Sequence, residues 1–193
     1  RRARADGRSH PTAVNDMREV ELPELSPEDS ARLAWALLLG AGISVDGSAQ
    51  ALAKYIAAIT QGVPWFIHAI VDDLQGRAQP VSRDDVDAVV DAAILGRGWD
   101  LTHYRDRLAD YYGEEDEGYV SLILDSIAGA GRATFDEISG HLAHGTDQRS
   151  SEALATMLEL LVRDHYVRRI DQETWTFRYE LVRRAWIELR GPG

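Results

Sequence analysis

Cysteine is absent from the 193 residues of this chain. Disulfide scaffolds, thiol nucleophiles and cysteine-based zinc sites are therefore excluded. Long apolar runs are missing too, since no stretch approaches the roughly 18 consecutive apolar residues that a membrane-spanning helix needs. The first ten residues are rich in arginine but lack the apolar segment of a signal peptide. From the missing apolar segments we expect a cytoplasmic protein that has no membrane partner.

Positive charge is scarce as well. The chain has 21 lysines and arginines against 32 aspartates and glutamates, a formal net charge of −11, and Lys54 is its only lysine. Such a chain has no general attraction for phosphate backbones or anionic lipid surfaces. This balance excludes a generic nucleic-acid coat protein and a membrane-surface binder, and it leaves a local basic patch open.

Catalytic signatures are also missing. The sequence contains neither the glycine-rich phosphate loop G-x-x-x-x-G-K-[ST] nor the nucleophile elbow G-x-S-x-G. His141 and His144 form the only close histidine pair, and nothing near them in sequence completes a metal site. We therefore expect that this chain on its own is not catalytic and holds no metal or other cofactor.

Apolar residues at helical spacing dominate the first half of the chain. They predict a mainly α fold, with a first helical unit that has short loops and no room for a sheet. Ser26 followed by Pro27, and Ser82 followed by acidic residues, are typical helix starts. The predicted helices cover about 26–39, 48–60, 64–75, 82–94 and 101–112. A short strand is predicted at 18–22, where apolar and polar residues alternate.

The second half mixes helices with a strand pair. Helices are predicted at about 114–128, 134–142, 150–164 and 181–189, and paired strands at 166–170 and 175–179. Thr134 and Glu137 have the spacing of a capping box. Trp175, Phe177 and Tyr179 alternate along the second strand, which predicts that they form the core under the hairpin. This order of elements predicts a winged helix at 114–193, joined near Gly113 to a helical unit at 19–113 and preceded by a linker at 1–18.

Two short motifs stand in the order found in one ATPase superfamily. After the predicted strand come Leu22, Leu25, Ser26, Glu28, Asp29 and Ala31. Further on, Gly62 and Pro64 form a G-x-P segment. The chain from about residue 15 onward resembles the C-terminal part of AAA+ or STAND-type P-loop ATPases, which include archaeal-type ATPases and origin-recognition relatives. In them the nucleotide-binding core leads into a helical lid and then a winged helix.

The resemblance implies a role in the regulation of an ATPase. Residues 1–18 would be the linker from an upstream P-loop core, which would hold ATP or ADP with Mg²⁺. Gly62 and Pro64 would contact the nucleotide, with Pro64 close to the adenine. The same two residues are equally well explained as the end of one helix and the start of the next. Residues 65–68 contain no arginine, whereas many AAA+ lids place a sensor arginine at the start of this helix. This departure favours the STAND-like branch and leaves hydrolysis in doubt.

The alternative function is a DNA-binding transcriptional or replication regulator. Arg149, Arg168, Arg169 and Arg178 are the candidate residues for nucleic-acid contact, with Arg183 and Arg184 following. Over residues 114–193, however, 9 arginines stand against 15 acidic residues. Because phosphate contacts supply much of the affinity for DNA, this balance favours protein partners over DNA.

Aromatic residues give two further expectations. Tyr111, Tyr112 and Trp99 are expected to seal the joint between the two halves. Trp65 and Phe66 are expected to form a partly exposed apolar patch where the ATPase core would dock.

Overall fold

Five helices make up the first half of the part of the chain that the structure describes. The structure is a computed structural model that describes residues 23–143 and 149–190. The helices are α1 (Pro27–Gly40), α2 (Ala49–Thr60), α3 (Pro64–Leu74), α4 (Arg83–Ile94) and α5 (His103–Tyr112). Each was predicted to within a few residues. The predicted strand at 18–22 lies outside the described residues.

Local capping sets where these helices begin. The Ser26 hydroxyl accepts a hydrogen bond from the Asp29 amide, and Ser82 and Asp85 form a reciprocal capping box. Helix α5 begins two residues later than predicted. The Asp100 carboxylate accepts hydrogen bonds from the amide and hydroxyl of Thr102, which hold residues 100–102 in a turn. Leu101 is buried in this turn instead of starting the helix.

The second half has the predicted order with one additional strand. It consists of α6 (Glu114–Ala130), β1 (Ala133–Thr134), α7 (Phe135–Ala143), α8 (Ser151–Arg163), β2 (Val167–Arg169), β3 (Thr174–Phe177) and α9 (Glu180–Arg190). The sheet is antiparallel with strand order β1-β3-β2. The sequence did not predict the third strand, β1, because β1 has two residues and is too short to show an alternation in sequence.

The mainly α fold with a small sheet is thus confirmed, and its second half has the element order of a winged helix. The predicted capping box opens α7: the Thr134 amide donates to a Glu137 carboxylate oxygen at 2.7 Å, and the Glu137 amide donates to the Thr134 hydroxyl at 3.3 Å. Trp175 and Phe177 are buried under the hairpin as predicted, while Tyr179 is half-buried.

One continuous apolar core runs through both halves. Helix α9 packs against α2 and α4 of the first half as well as against α6 of the second. The Tyr166 hydroxyl donates to the Tyr104 carbonyl at 2.8 Å, and the Tyr112 hydroxyl donates to Asp164 at 3.1 Å. Tyr112 therefore lies at the joint, as expected from the sequence.

In the described segments, no helix is both long enough and apolar enough to cross a bilayer.

Candidate functional site at the junction of the two halves

Gly62 brings the turn between α2 and α3 against the segment that leads into α1. The Leu25 amide donates to the Gly62 carbonyl at 2.9 Å. Gly62 has φ +80°, and a Cβ atom placed on it would collide with the Leu25 carbonyl oxygen. Only glycine fits this close approach without strain. Pro64 then occupies the first turn of α3 and is exposed.

A cluster of polar side chains ties the segment before α1 to the end of the hairpin. The Arg178 Nε donates to the Glu24 Oε1 at 2.7 Å, and the Tyr179 hydroxyl donates to the same oxygen at 2.9 Å. The side chains of Arg178 and Glu24 are 19% and 31% exposed. Partial burial strengthens this ion pair relative to one at the open surface.

Gln61 adds a second link next to the first. Its side-chain oxygen accepts a hydrogen bond from the Glu180 amide at 2.6 Å, which satisfies one free N–H group at the start of α9. Gln61 itself has a left-handed backbone with φ 50°. We call these residues, Glu24, Gln61, Gly62, Arg178 and Tyr179, the junction cluster.

The junction cluster shifts the ionisation of its own members. Partial burial opposes ionisation of Glu24, but the hydrogen bonds from Arg178, its own backbone amide and Tyr179 outweigh it and lower the Glu24 pKa. Burial, together with the hydrogen bond to Glu24, raises the pKa of Tyr179 to about 12. At neutral pH the cluster therefore holds a carboxylate, a guanidinium and a neutral phenol.

Aromatic rings connect the start of α3 to the same cluster. The Phe66 ring lies 5.5 Å from the Trp99 ring and 5.7 Å from the Tyr179 ring, centroid to centroid. Trp65 is 45% exposed, as expected, but Phe66 is fully buried. The expectation of an exposed Phe66 was wrong, because the winged helix supplies Tyr179 to cover it.

The four candidate DNA-contacting arginines are spread over different surroundings. Arg149 pairs with Asp116, donates to the Glu115 carbonyl at 3.0 Å and lies over the Tyr119 ring at 4.4 Å. Arg169 lies 5.2 Å over the Trp175 ring, and Arg178 belongs to the junction cluster.

Arg168 differs from these three. Its backbone pairs with Thr176 in the sheet, but its side chain is exposed and forms no ion pair or hydrogen bond with any residue in the two described stretches. It lines a cleft of about 250 Å³ together with Glu24, Gln61, Arg178 and Tyr179. The structure thus brings Gly62, Arg168 and Arg178 close to one another, whereas Arg149 lies against the start of α6. Their contact with nucleic acid stays a prediction.

The helix that a DNA-binding winged helix would insert into the major groove is α8. Its exposed positions include Glu152, Ala155, Thr156 and Glu159, so they carry two carboxylates, and the first arginine within the helix is Arg163 at its end. Carboxylates on this face oppose approach to phosphate.

No motif in the sequence marks Glu24, Gln61 or Tyr179 as site residues. Glu24 lies 154 positions from Arg178, and Gln61 lies 119 positions from Glu180. No local motif carries information at such separations. Among the described residues, no group of three histidines, aspartates or glutamates is arranged to hold a metal ion.

No protein-family profile matches this chain, and no curated protein is significantly similar to it in sequence.

Proposed function

We propose that this chain is the non-catalytic regulatory region of a STAND- or AAA+-like ATPase. In this proposal the helical unit α1–α5 is the lid of an upstream P-loop core. The winged helix is a protein-interaction module, and it responds to the nucleotide held by that core. ATP or ADP with Mg²⁺ would be bound mainly by residues of the core.

The junction cluster is the observation that supports this proposal most directly. The segment 23–26 would be the connection from the core, and its Glu24 is bound to Arg178 and Tyr179 of the winged helix. The next residue, Leu25, is bound to Gly62, two residues before Pro64. A displacement of this segment by the core would therefore reach the G-x-P turn and the hairpin end together.

The surface near the G-x-P turn fits a contact with a nucleotide-binding domain. Pro64 is exposed and Trp65 is 45% exposed, so both offer apolar surface to an adenine ring or to the core. On the other side of Gly62, a groove of about 700 Å³ is lined largely by small and apolar residues of α1 and α2. The close packing of Gly62 also supports the purely structural interpretation of the G-x-P segment.

Protein partners are favoured over DNA by the surface of the winged helix. Three of the four candidate arginines have carboxylate, carbonyl or aromatic partners within the chain. Freeing them for phosphate would remove those contacts, and the exposed face of α8 is acidic. Binding to duplex DNA at two salt concentrations checks this part of the proposal. Tight and salt-sensitive binding that is lost in an Arg168→Glu, Arg169→Glu variant would favour the DNA-binding alternative instead.

The coupling between the nucleotide and the winged helix is tested by hydrogen exchange in the full-length gene product. Exchange is measured without nucleotide, with ADP and with a non-hydrolysable ATP analogue. We expect exchange at residues 61–66 and 178–182 to differ between nucleotide states. Glu24→Gln should abolish the difference in exchange between nucleotide states at 178–182, because a neutral amide cannot form an ion pair with Arg178. Glu188→Gln is the matched control, since Glu188 lies exposed on α9 outside both the junction cluster and the groove beside Gly62.

Two results would contradict the proposal. One is a gene that encodes no phosphate-binding loop upstream of Arg1. The other is identical exchange at 178–182 in all three nucleotide conditions of a full-length protein that binds ATP.

A further inference from the structure

A groove of about 610 Å³ opens in the winged helix between α8 and the hairpin. Its floor is formed by Phe135, Leu158, Val162 and Trp175, and the Phe135 and Trp175 rings lie 6.4 Å apart. Ala155 is exposed in the middle of the α8 side, and its short side chain leaves the floor accessible. We call this the hairpin groove. Its volume suits one or two inserted apolar side chains.

The rim of the hairpin groove is acidic. Asp136, Glu159 and Glu173 are exposed around it, and within the described segments none of the three carboxylates forms an ion pair. Among the residues that the structure describes, Arg169 is the one cation that lines the groove. Its guanidinium is already placed over the Trp175 ring and donates to the Gln172 carbonyl. The groove therefore offers three carboxylates that pair with no arginine or lysine of the described part of the chain.

An apolar floor with an acidic rim favours a ligand that carries an apolar group and positive charge beside it. We propose that the hairpin groove binds a basic segment of a partner protein, in which an apolar side chain inserts beside Trp175 and flanking arginines or lysines pair with the rim. This inference rests on the proposed role of the winged helix in protein interaction. Charge complementarity sets specificity and the association rate of such contacts, while the buried apolar anchor supplies most of the affinity.

The same features argue against nucleic acid as the occupant. Phosphate would face Glu159 and Glu173, and like charges brought together across an interface oppose binding. A basic peptide meets the same carboxylates favourably.

The test begins with a random peptide library displayed on phage and selected on the folded chain. Binders that also bind the Ala155→Arg variant are removed, because that side chain fills the groove from an exposed helix position. We expect the retained peptides to combine an aromatic or aliphatic residue with at least two arginines or lysines. If the retained peptides are neutral or acidic, or if none is retained, the proposal is overturned.

A retained peptide is then labelled with fluorescein and titrated by fluorescence polarisation. The Glu159→Lys, Glu173→Lys variant should bind it at least about tenfold more weakly, as expected for reversing two rim charges. The matched control is Asp110→Lys, Glu188→Lys, which makes the same charge change at exposed positions outside the groove and should bind as the unaltered chain does. If both double variants bind the peptide equally weakly, the loss is a general charge effect and the proposed site is overturned.

Other occupants give different results. If deletion of residues 1–10, which contain four arginines, strengthens peptide binding by about tenfold or more, the chain's own N-terminal segment occupies the groove and the partner proposal fails. If duplex DNA displaces the peptide in the unaltered chain, nucleic acid is the occupant instead. None of these measurements involves a nucleotide or an upstream domain. A negative result in the peptide experiments therefore leaves the nucleotide-coupling proposal intact. A negative result in the hydrogen-exchange experiment likewise leaves the hairpin-groove proposal intact.

Discussion

At the scale of single residues, the junction depends on the absence of a side chain at Gly62. The backbone there has a positive φ, and the Leu25 carbonyl occupies the space that a Cβ atom would need. The hydrogen bond between the Leu25 amide and the Gly62 carbonyl holds the two segments at this distance. The position of Glu24 beside Arg178 follows from this contact, because Glu24 is the residue before Leu25.

Gly62→Ala should lower the free energy of unfolding by about 3 kcal/mol, through left-handed backbone strain and the collision with Leu25. Gly76→Ala separates the two causes. Gly76 has φ +75° but nothing within 4 Å of an added Cβ, so the loss there should be about 1 kcal/mol. Urea unfolding of both variants gives the comparison, and equal losses would contradict the steric argument.

Tyr179 makes the stability of the folded chain depend on pH in the alkaline range. Its pKa is about 12 in the folded chain and about 10 in an unfolded one. The unfolded chain releases the Tyr179 proton more readily than the folded chain does. The contribution of protonated Tyr179 to stability is therefore complete below pH 10 and is lost as the pH rises toward 12. The free energy of unfolding of the unaltered chain should therefore fall more steeply over this interval than that of Tyr179→Phe.

The measurement is urea unfolding at a series of pH values. Tyr111→Phe serves as the control, because Tyr111 is 40% exposed and lies outside the junction cluster. Parallel pH profiles for the unaltered chain and Tyr179→Phe would contradict the prediction.

Among the helices and strands, several helices begin at a cap that a neighbouring residue supplies, whereas α9 begins at a contact with a distant part of the chain. The starts of α1, α2, α4 and α8 are each capped by the serine just before the helix. Helix α9 has its first amide satisfied by Gln61 from the α2–α3 turn. Its position is therefore set by contact between the two halves of the chain.

Removing the local cap of α7 should lower the free energy of unfolding moderately. Thr134→Ala removes the hydroxyl that accepts from the Glu137 amide and donates to the Glu137 carboxylate, and it should cost about 1 kcal/mol of unfolding free energy. Thr156→Ala makes the same substitution at an exposed position inside α8, where alanine is the better helix former, so it should be neutral or slightly stabilising. Thermal unfolding followed by circular dichroism measures both, and an equal loss in the two variants would contradict the capping argument.

At the scale of the whole molecule, helix α9 joins the two halves. Trp186 is buried and donates from its indole N–H to Asp125 at 2.8 Å, and Arg184 pairs with Asp91 of α4 at 2.7 Å. Because the apolar core is continuous across both halves, we expect unfolding in one cooperative transition.

Trp186→Ala should lower the free energy of unfolding by about 3–5 kcal/mol through the cavity that it leaves. The neighbouring Ile187 is 40% exposed, and Ile187→Ala should cost less than about 1 kcal/mol. In Trp186→Ala, the transition followed by fluorescence of the four remaining tryptophans should coincide with the transition followed by far-ultraviolet circular dichroism. Three of these four, Trp35, Trp65 and Trp99, lie in the first half. Two separate transitions would show that the halves unfold independently.

Local sequence patterns specify the helices, the serine and threonine caps and the order of the elements in the second half. These features depend on residues a few positions apart, such as Thr134 and Glu137, or on the spacing of apolar residues. The burial of Trp175 and Phe177 followed from the same alternation.

The junction cluster, the burial of Phe66 and the acidic hairpin groove arise from tertiary packing alone. That packing is not legible in the sequence. Each of the three features joins residues that are far apart in the chain, as Glu24 and Arg178 are, so no local pattern specifies them. Tertiary packing also supplies the partners of Arg149, Arg169 and Arg178, because the ion pairing of an arginine depends on which groups lie within a few ångströms of it. Local backbone preference and side-chain period act over one or two helical turns, whereas packing of the whole chain selects which distant surfaces meet.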